Sequence, residues 1–256
     1  MSDSSPWSTL PHRWIHIQLP GYRQLPQHNT YESSQLAGLP LIPIRLDDDC
    51  EWLRTHGVVQ VHGGLNQYER DIQPSFVEEL ALRAHVQLPK SFRRFMTHPE
   101  LQSRVRSCTD CYLDPGERIV ETIGSIPGHL VHLLSDSQSC SHWYLHILPE
   151  GDSAVLASPD LYSLKVENSD WIENPSCRLE RIDLSGLEFA YCAPSFSEFL
   201  YRFWIENEIW FALVDKRKPR SFNALELDYV GHYAANKPCD LQVAWQFRSN
   251  SRPGPD

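Results

Sequence analysis

Residues 129–158 read HLVHLLSDSQSCSHWYLHILPEGDSAVLAS. Three short apolar runs stand out: Leu130–Leu134, Trp143–Leu148 and Ala154–Ala157. The breaks between them are the polar stretch Ser135–Ser141 and then Pro149-Glu150-Gly151-Asp152. Short runs rich in Val, Ile, Leu, Trp and Tyr, bounded by Ser, Asp, Pro and Gly, read as strands. The second break is a good hairpin turn, because Pro presets its own φ and Gly tolerates a positive one. Three strands joined by short turns make an antiparallel meander, the expected centre of a sheet. No catalytic motif sits in it.

Outward from this stretch, size and composition set limits. A chain of 256 residues can bury a sizeable core, as one large domain or as a domain with an extension. Hydrophobic residues make up 41%, with 8 Trp, 10 Tyr and 10 Phe, which suits a packed globule rather than a disordered chain. The formal net charge is -10 and the pI near 5.6. That balance argues against nucleic acid or an anionic membrane surface as the main partner, since both attract positive charge. It fits a basic protein partner, or solubility alone. The seven cysteines are odd in number and irregularly spaced, unlike a disulfide framework. The N-terminus has no basic segment followed by an apolar one, and no apolar stretch reaches the roughly 18 residues of a spanning helix. The expectation is a cytoplasmic protein with reduced thiols.

Residues 1–45 are rich in Pro, Gln, Ser and His and are expected to form an irregular extension, either wrapped on the body or trailing as a tail. An edge strand could lie within Leu39–Leu46, with Pro43 on its open side. Asp47-Asp48-Asp49 precede Cys50–Gly57, a short helix that aspartates would cap and Gly57 would end. Val58–Val61 reads as a strand. Ser75 and Glu78 have capping-box spacing before a helix to about His85. Lys90–Met96 should turn Phe92, Phe95 and Met96 inward and Arg93 and Arg94 outward. Pro99 opens another short helix through Val105. From Cys108 to Ile123 the pattern turns to short β-like runs, with a turn at Asp114-Pro115-Gly116. Leu161–Val166 and Leu187–Cys192 are further strands. Ser195, with Glu198 three residues on, starts the strongest helix, in which Phe196, Phe199, Leu200 and Phe203 recur on one face. Trp204, Ile205, Ile209, Trp210 and Phe211 continue it as apolar nearly all round. Lys216–Arg220 suits the end of its dipole better than a nucleic-acid patch. Residues 221–248 add a helix or a strand, and 249–256 a tail. The whole reads as α+β: a mainly antiparallel sheet with helices packed on it, one domain over residues 46–248.

Few residues invite chemistry. Cys108-Thr109-Asp110-Cys111 has the spacing of half a zinc site, but the nearby offer for the second half, Cys140 with His142, is not the usual repeat. Two half-buried thiols and no cofactor are the plainer reading. His142 and His146 share a strand face, whereas His129 and His132 do not. Each is read as a structural histidine. There is no Gly-x-Ser-x-Gly elbow, Walker loop or G-x-G-x-x-G turn, so an enzyme, hydrolytic or zinc-dependent, is the weakest of the readings.

Three places resemble one family. Leu88-Pro89-Lys90-Ser91-Phe92-Arg93-Arg94-Phe95 is similar to the "LP, polar residues, aromatic" helix of the SUKH superfamily, which includes the yeast cell-wall synthesis regulator and many bacterial immunity proteins. Leu133–Leu145 looks like that family's sheet hairpin, and Ser195–Phe211 like its closing helix. The resemblance spans about residues 70–215. It departs at His98-Pro99-Glu100, where the family has a Gly-containing turn. The resemblance implies a non-enzymatic binding protein, most often an immunity protein that neutralises a cognate toxin, with a regulatory or scaffolding role as the alternative. Toxin nucleases are basic, so acidic residues are the natural contacts. The candidates are Asp47, Asp48, Asp49 and Glu51, with Asp136 in the first meander turn, and helix capping and turn formation are their competing explanation.

Overall fold

The computed structural model describes residues 5–17, 31–57, 64–65, 78–79, 81–82, 84–115, 119–162, 181–214 and 221–235. In chain order its strands are β1 (Arg13–Ile17), β2 (Tyr31–Gln35), β3 (Tyr112–Leu113), β4 (Ile119–Ile123), β5 (Gly128–Ser135), β6 (His142–Ile147), β7 (Ser153–Ser158), β8 (Arg181–Asp183) and β9 (Ala190–Ala193). Its helices are α1 (Glu51–His56), α2 (Lys90–Met96), α3 (Pro99–Gln102), α4 (Phe196–Val214) and α5 (Ala224–Ala235).

The expected meander is β5-β6-β7, and it forms the middle of a mostly antiparallel sheet ordered β8-β4-β5-β6-β7-β9. β3 pairs with the far end of β5, on the same side as β4, and β4 runs parallel to β8. The β6–β7 turn closes as its residues predict. The Gly151 N–H donates to the Leu148 carbonyl at 2.9 Å, and Gly151 adopts a φ of 99°, a conformation that costs other residues a Cβ clash. Both sheet faces are covered, which is why these strands read as continuous apolar runs. Val131, Leu134, Trp143, Leu145 and Val155 enter a core shared with α1, α2 and α4. Leu130, Tyr144, Ala154 and Leu156 point the other way, where Trp7, Leu184 and Phe189 cover them.

The long helix α4 starts where the sequence says it should: Ser195 Oγ accepts the Glu198 N–H at 3.1 Å. The Glu198 carboxylate does not return to the cap but takes Arg202 at 2.9 Å, so the box is half formed. Phe196, Phe199, Leu200, Phe203, Ile205 and Ile209 are buried, α2 packing on them through Phe92 against Phe196 at 5.4 Å and α1 beside them through Trp52 against Trp204 at 5.6 Å. Trp210 and Phe211, expected to be enclosed, are only partly covered. In exchange α4 buries a polar stripe. Glu206 Oε1 accepts from Trp14 Nε1 and from the Tyr229 hydroxyl, both at 2.8 Å. Arg202 donates to the Pro40 carbonyl at 2.9 Å, and the Asn207 side-chain oxygen accepts the Cys108 N–H at 2.8 Å. Glu208 holds Arg106 with two bonds of 2.8 Å.

The N-terminal extension departs from expectation. It is neither irregular nor a tail where described, because β1 and β2 form an antiparallel ribbon in which Trp14 is 1% exposed. Pro11, Pro20, Pro26 and Pro40 all fall outside the two paired segments, leaving proline-free windows in which strands can form. Leu39–Leu46, by contrast, is not a strand, since Pro40 and Pro43 interrupt it. The core therefore takes in residues before 46 and is not confined to 46–248. Other differences are smaller. The helix after Pro99 ends at Gln102 rather than Val105, and its Gln102 amide turns back to the Phe95 and Met96 carbonyls at 2.9 and 3.0 Å. Leu161 and Tyr162 are not in a strand. Asn223 and Glu226 form a reciprocal capping box, at 3.0 and 2.8 Å, that makes the next segment the helix α5. The expectations on Val58–Val61, Ser75, Val166, Lys216–Arg220 and 249–256 lie outside the described residues. No helix among the described residues is long and apolar enough to cross a membrane.

Phe203 is 6% exposed and meets Phe199 at 5.9 Å and Trp143 at 6.2 Å, so it ties α4 to the sheet. Phe203→Ala should cost about 3–5 kcal/mol, the usual range for a core aromatic, read as a lowered denaturant midpoint. An unchanged midpoint would contradict this packing.

Candidate functional site

The face of the sheet turned away from α4 carries the densest chemistry, and a β-bulge puts it there. Along β5 side chains alternate, so His132 and Ser135, three apart, should point to opposite faces. The β5–β6 register shifts between His132 and Leu134: His132 sits across from Tyr144, but Leu134 across from Trp143. Leu133 and Leu134 both enter the helix-side core, and the extra residue returns Ser135 to the face of His132. On β6, His142, Tyr144 and His146 lie two apart and share that face.

Ser135 Oγ is 2.9 Å from His132 Nε2 and 2.8 Å from His142 Nδ1. A hydroxyl has one proton, so it donates to one ring and accepts from the other, which partners one nitrogen of each ring as a neutral imidazole. Asp114, after β3, has Oδ2 at 3.9 Å from His132 Nδ1, outside hydrogen-bond reach. Burial pushes His132 down to about 3, with His142 adding to the effect. Burial also lowers His142, against the pull of Asp114 and Asp160. The sequence Asp114–His132–Ser135 has the order of a nucleophilic triad, yet Ser135 is 0% exposed and His132 1%. As folded, this serine offers its oxygen to two rings and to no substrate.

Further along the same face, Trp7 Nε1 donates to His146 Nδ1 at 3.0 Å, and His146 Nε2 is 2.8 Å from Thr122 Oγ1. Burial, with His129 nearby, lowers His146 to about 4. The Tyr144 hydroxyl donates to the Asp160 carbonyl at 2.8 Å and accepts the Tyr162 N–H at 2.9 Å.

The residues singled out from sequence lie elsewhere and in two groups. Asp47 Oδ1 accepts the N–H groups of Asp49 and Glu51 at 3.0 Å, so it caps α1. Asp49 pairs with Lys90 at 3.0 Å. Glu51 reaches Arg54 at 3.6 Å and Arg94 at 3.9 Å, and with Asp48 it remains exposed. Asp136 is not part of that surface. It is 1% exposed, accepts the Tyr31 hydroxyl at 3.0 Å, and holds the Gln138 and Cys140 N–H groups at 3.2 and 3.3 Å. Its place in a hairpin turn suggested a free carboxylate, but a tight turn consumes the carboxylate itself. Cys108 and Cys111 lie near it. Cys111 is 0% exposed beside the Tyr31 hydroxyl at 3.3 Å, and burial raises its thiol to about 11. Among the described residues no three His, Cys, Asp or Glu side chains form a metal-holding group. Sequence alone does not reveal the serine bridge, because only a bulge aligns His132 with Ser135 and bulges leave little trace in a run as uniform as HLVHLLS. The even spacing of His142 and His146 was the readable part.

His132 and His146 are both held below the ordinary 6.5, so the unfolded chain takes up their protons first as pH falls. Stability is therefore complete above about pH 6.5 and declines below it. Denaturation at about pH 7.5 and pH 5.5 should show a lower midpoint at the acid value, and equal midpoints would contradict neutral, buried rings. Ser135→Ala strips both rings of their common partner and should cost about 1–3 kcal/mol by the same measurement. Compared with known proteins, the chain matches no family model, no curated protein and no solved structure.

Proposed function

We propose that this chain is a non-enzymatic protein-binding domain that neutralises a basic toxin, as its similarity to SUKH immunity proteins implies. The observation that carries the reading is charge. The chain bears a net -10, and at the start of α1 Asp48 and Glu51 stand exposed beside Asp49. Opposite charge between inhibitor and target speeds their encounter and disfavours wrong partners more than it adds raw affinity. Charges this exposed are screened beyond about 8 Å at physiological salt, so the interaction should be salt-sensitive. The test is co-expression with the protein encoded by the neighbouring gene, followed by capture at low and high salt. A complex that forms at low salt and weakens at high salt is expected, with association slowed several-fold by Asp48→Asn combined with Glu51→Gln. No complex at either salt would overturn the reading.

One observation favours a second reading, a serine hydrolase: Ser135 Oγ lies 2.9 Å from His132 Nε2, with Asp114 beyond the ring. It requires the sheet face to open, since Ser135 is 0% exposed. A fluorophosphonate probe separates the two readings. The binding reading expects the folded protein to stay unlabelled, whereas labelling at Ser135 that is lost in His132→Ala would establish the hydrolase.

A further inference from the structure

Residues 5–12 lie as a strap over the sheet face opposite α4, and Trp7 is its anchor. Trp7 is 7% exposed and its ring meets Tyr191 at 5.8 Å and His146 edge-on at 6.1 Å. The strap also holds β9 through the Tyr191 N–H to the Pro11 carbonyl at 2.9 Å, with the His12 ring over Tyr191 at 4.6 Å. A single side-chain hydrogen bond links Trp7 to the sheet interior, from Nε1–H to His146 Nδ1 at 3.0 Å. An indole N–H can only donate. His146 Nδ1 must therefore carry a lone pair, and the ring proton sits on Nε2, donated to Thr122 Oγ1 at 2.8 Å. The next proton has one place to go, which is Nδ1. It would set two N–H groups against each other with no acceptor between them.

We propose that His146 is a pH-operated latch: protonation at Nδ1 releases Trp7 and the strap, uncovering the apolar face around Val120, Leu130 and Leu156. The ring cannot simply turn aside. It packs on the backbone at Gly128, where even a Cβ would stand 3.1 Å from His146 Cε1 and 2.3 Å from the Ile147 carbonyl oxygen. Nor is a counter-charge at hand. β4 presents uncharged Thr122, β5 presents Leu130 across from His146, β9 presents Tyr191 and the strap presents His12, while His129, with Glu121 acting on it, lies on the other face of β5. Among the described residues no carboxylate acts on His146, and His129 opposes a second positive charge there. The sign follows: the strap is held above the ordinary value of 6.5 and released as pH falls toward about 4. His132 is likewise held below its ordinary value by burial, so both rings are neutral where the strap is closed.

The test uses the full chain labelled with 5-fluorotryptophan and followed by fluorine NMR from about pH 8 to about pH 4, a range that spans histidine titration. Trp7→Phe assigns the Trp7 signal among those of the 8 tryptophans. The Trp7 signal should move to its solvent-exposed position with a midpoint between about 4 and 6.5 while the other signals stay in place. In His146→Asn, whose amide oxygen accepts the indole N–H at every pH, Trp7 should stay buried throughout. Nitrogen-15 shifts of the wild-type ring at neutral pH should show the proton on Nε2, a measurement that stands even if the variant fails to fold. A proton on Nδ1 at neutral pH would overturn the proposal. So would Trp7 moving together with all other tryptophans, or moving with the same midpoint in His146→Asn.

Discussion

A buried carboxylate holds three distant parts of this chain together. Glu206, 2% exposed in the middle of α4, is bonded by Trp14 from the N-terminal ribbon and Tyr229 from α5. An enclosed acid without donors would cost several kcal/mol, so each donor is required by the acid as much as the acid by the donors. The neighbouring positions repeat the principle. Arg202 reaches the loop at Pro40, Asn207 the loop at Cys108, and Glu208 the guanidinium of Arg106. The apolar face of α4 fixes where the helix lies on the sheet, and its polar stripe fixes which loops gather around it. Burial alone could not choose among loops of similar hydrophobicity, whereas directional bonds can.

The two faces of the sheet answer to different constraints. The helix side is aromatic and aliphatic packing, with Phe199, Phe203 and Trp143 in mutual contact. The opposite side mixes apolar residues with imidazoles that must remain neutral, each satisfied by a hydroxyl or an indole. Chemistry that would be reactive on a surface is here turned into cross-strand bonding. Over the whole sequence carboxylates outnumber Lys and Arg, 33 against 23.

Much of the architecture was legible in the sequence. The meander, α1, α2 and the start of α4 follow from apolar runs, prolines and caps, because local signals and the final fold agree there. The ribbon β1–β2 was hidden by composition: prolines dominate the count, but the paired windows RWIHI and YESSQ contain none. The capping box of α5 is written plainly as Asn223 and Glu226, although residues 221–248 as a whole read as a helix or a strand. The candidate site was less legible. Ser195 and Asp47 could be recognised as caps from their neighbours, whereas the His132–Ser135–His142 bridge depends on a bulge that only the pairing of β5 with β6 creates. Asp136 shows the reverse: a polar turn residue reads as surface, yet its own turn encloses it.

The bond between Trp14 and Glu206 closes a loop of 192 residues. Ribosomes add roughly 5–20 residues per second, so the ribbon emerges roughly 10–40 seconds before the helix that receives it has been made. During that interval Trp14, Ile15, Ile17 and Tyr31 lack the part of their core that the helix supplies. The order of synthesis is thus opposed to the order of assembly: among the described elements, β1 and β2 are made before the helix that completes their burial. Until that helix is made, the Trp14 indole N–H lacks the carboxylate that receives it.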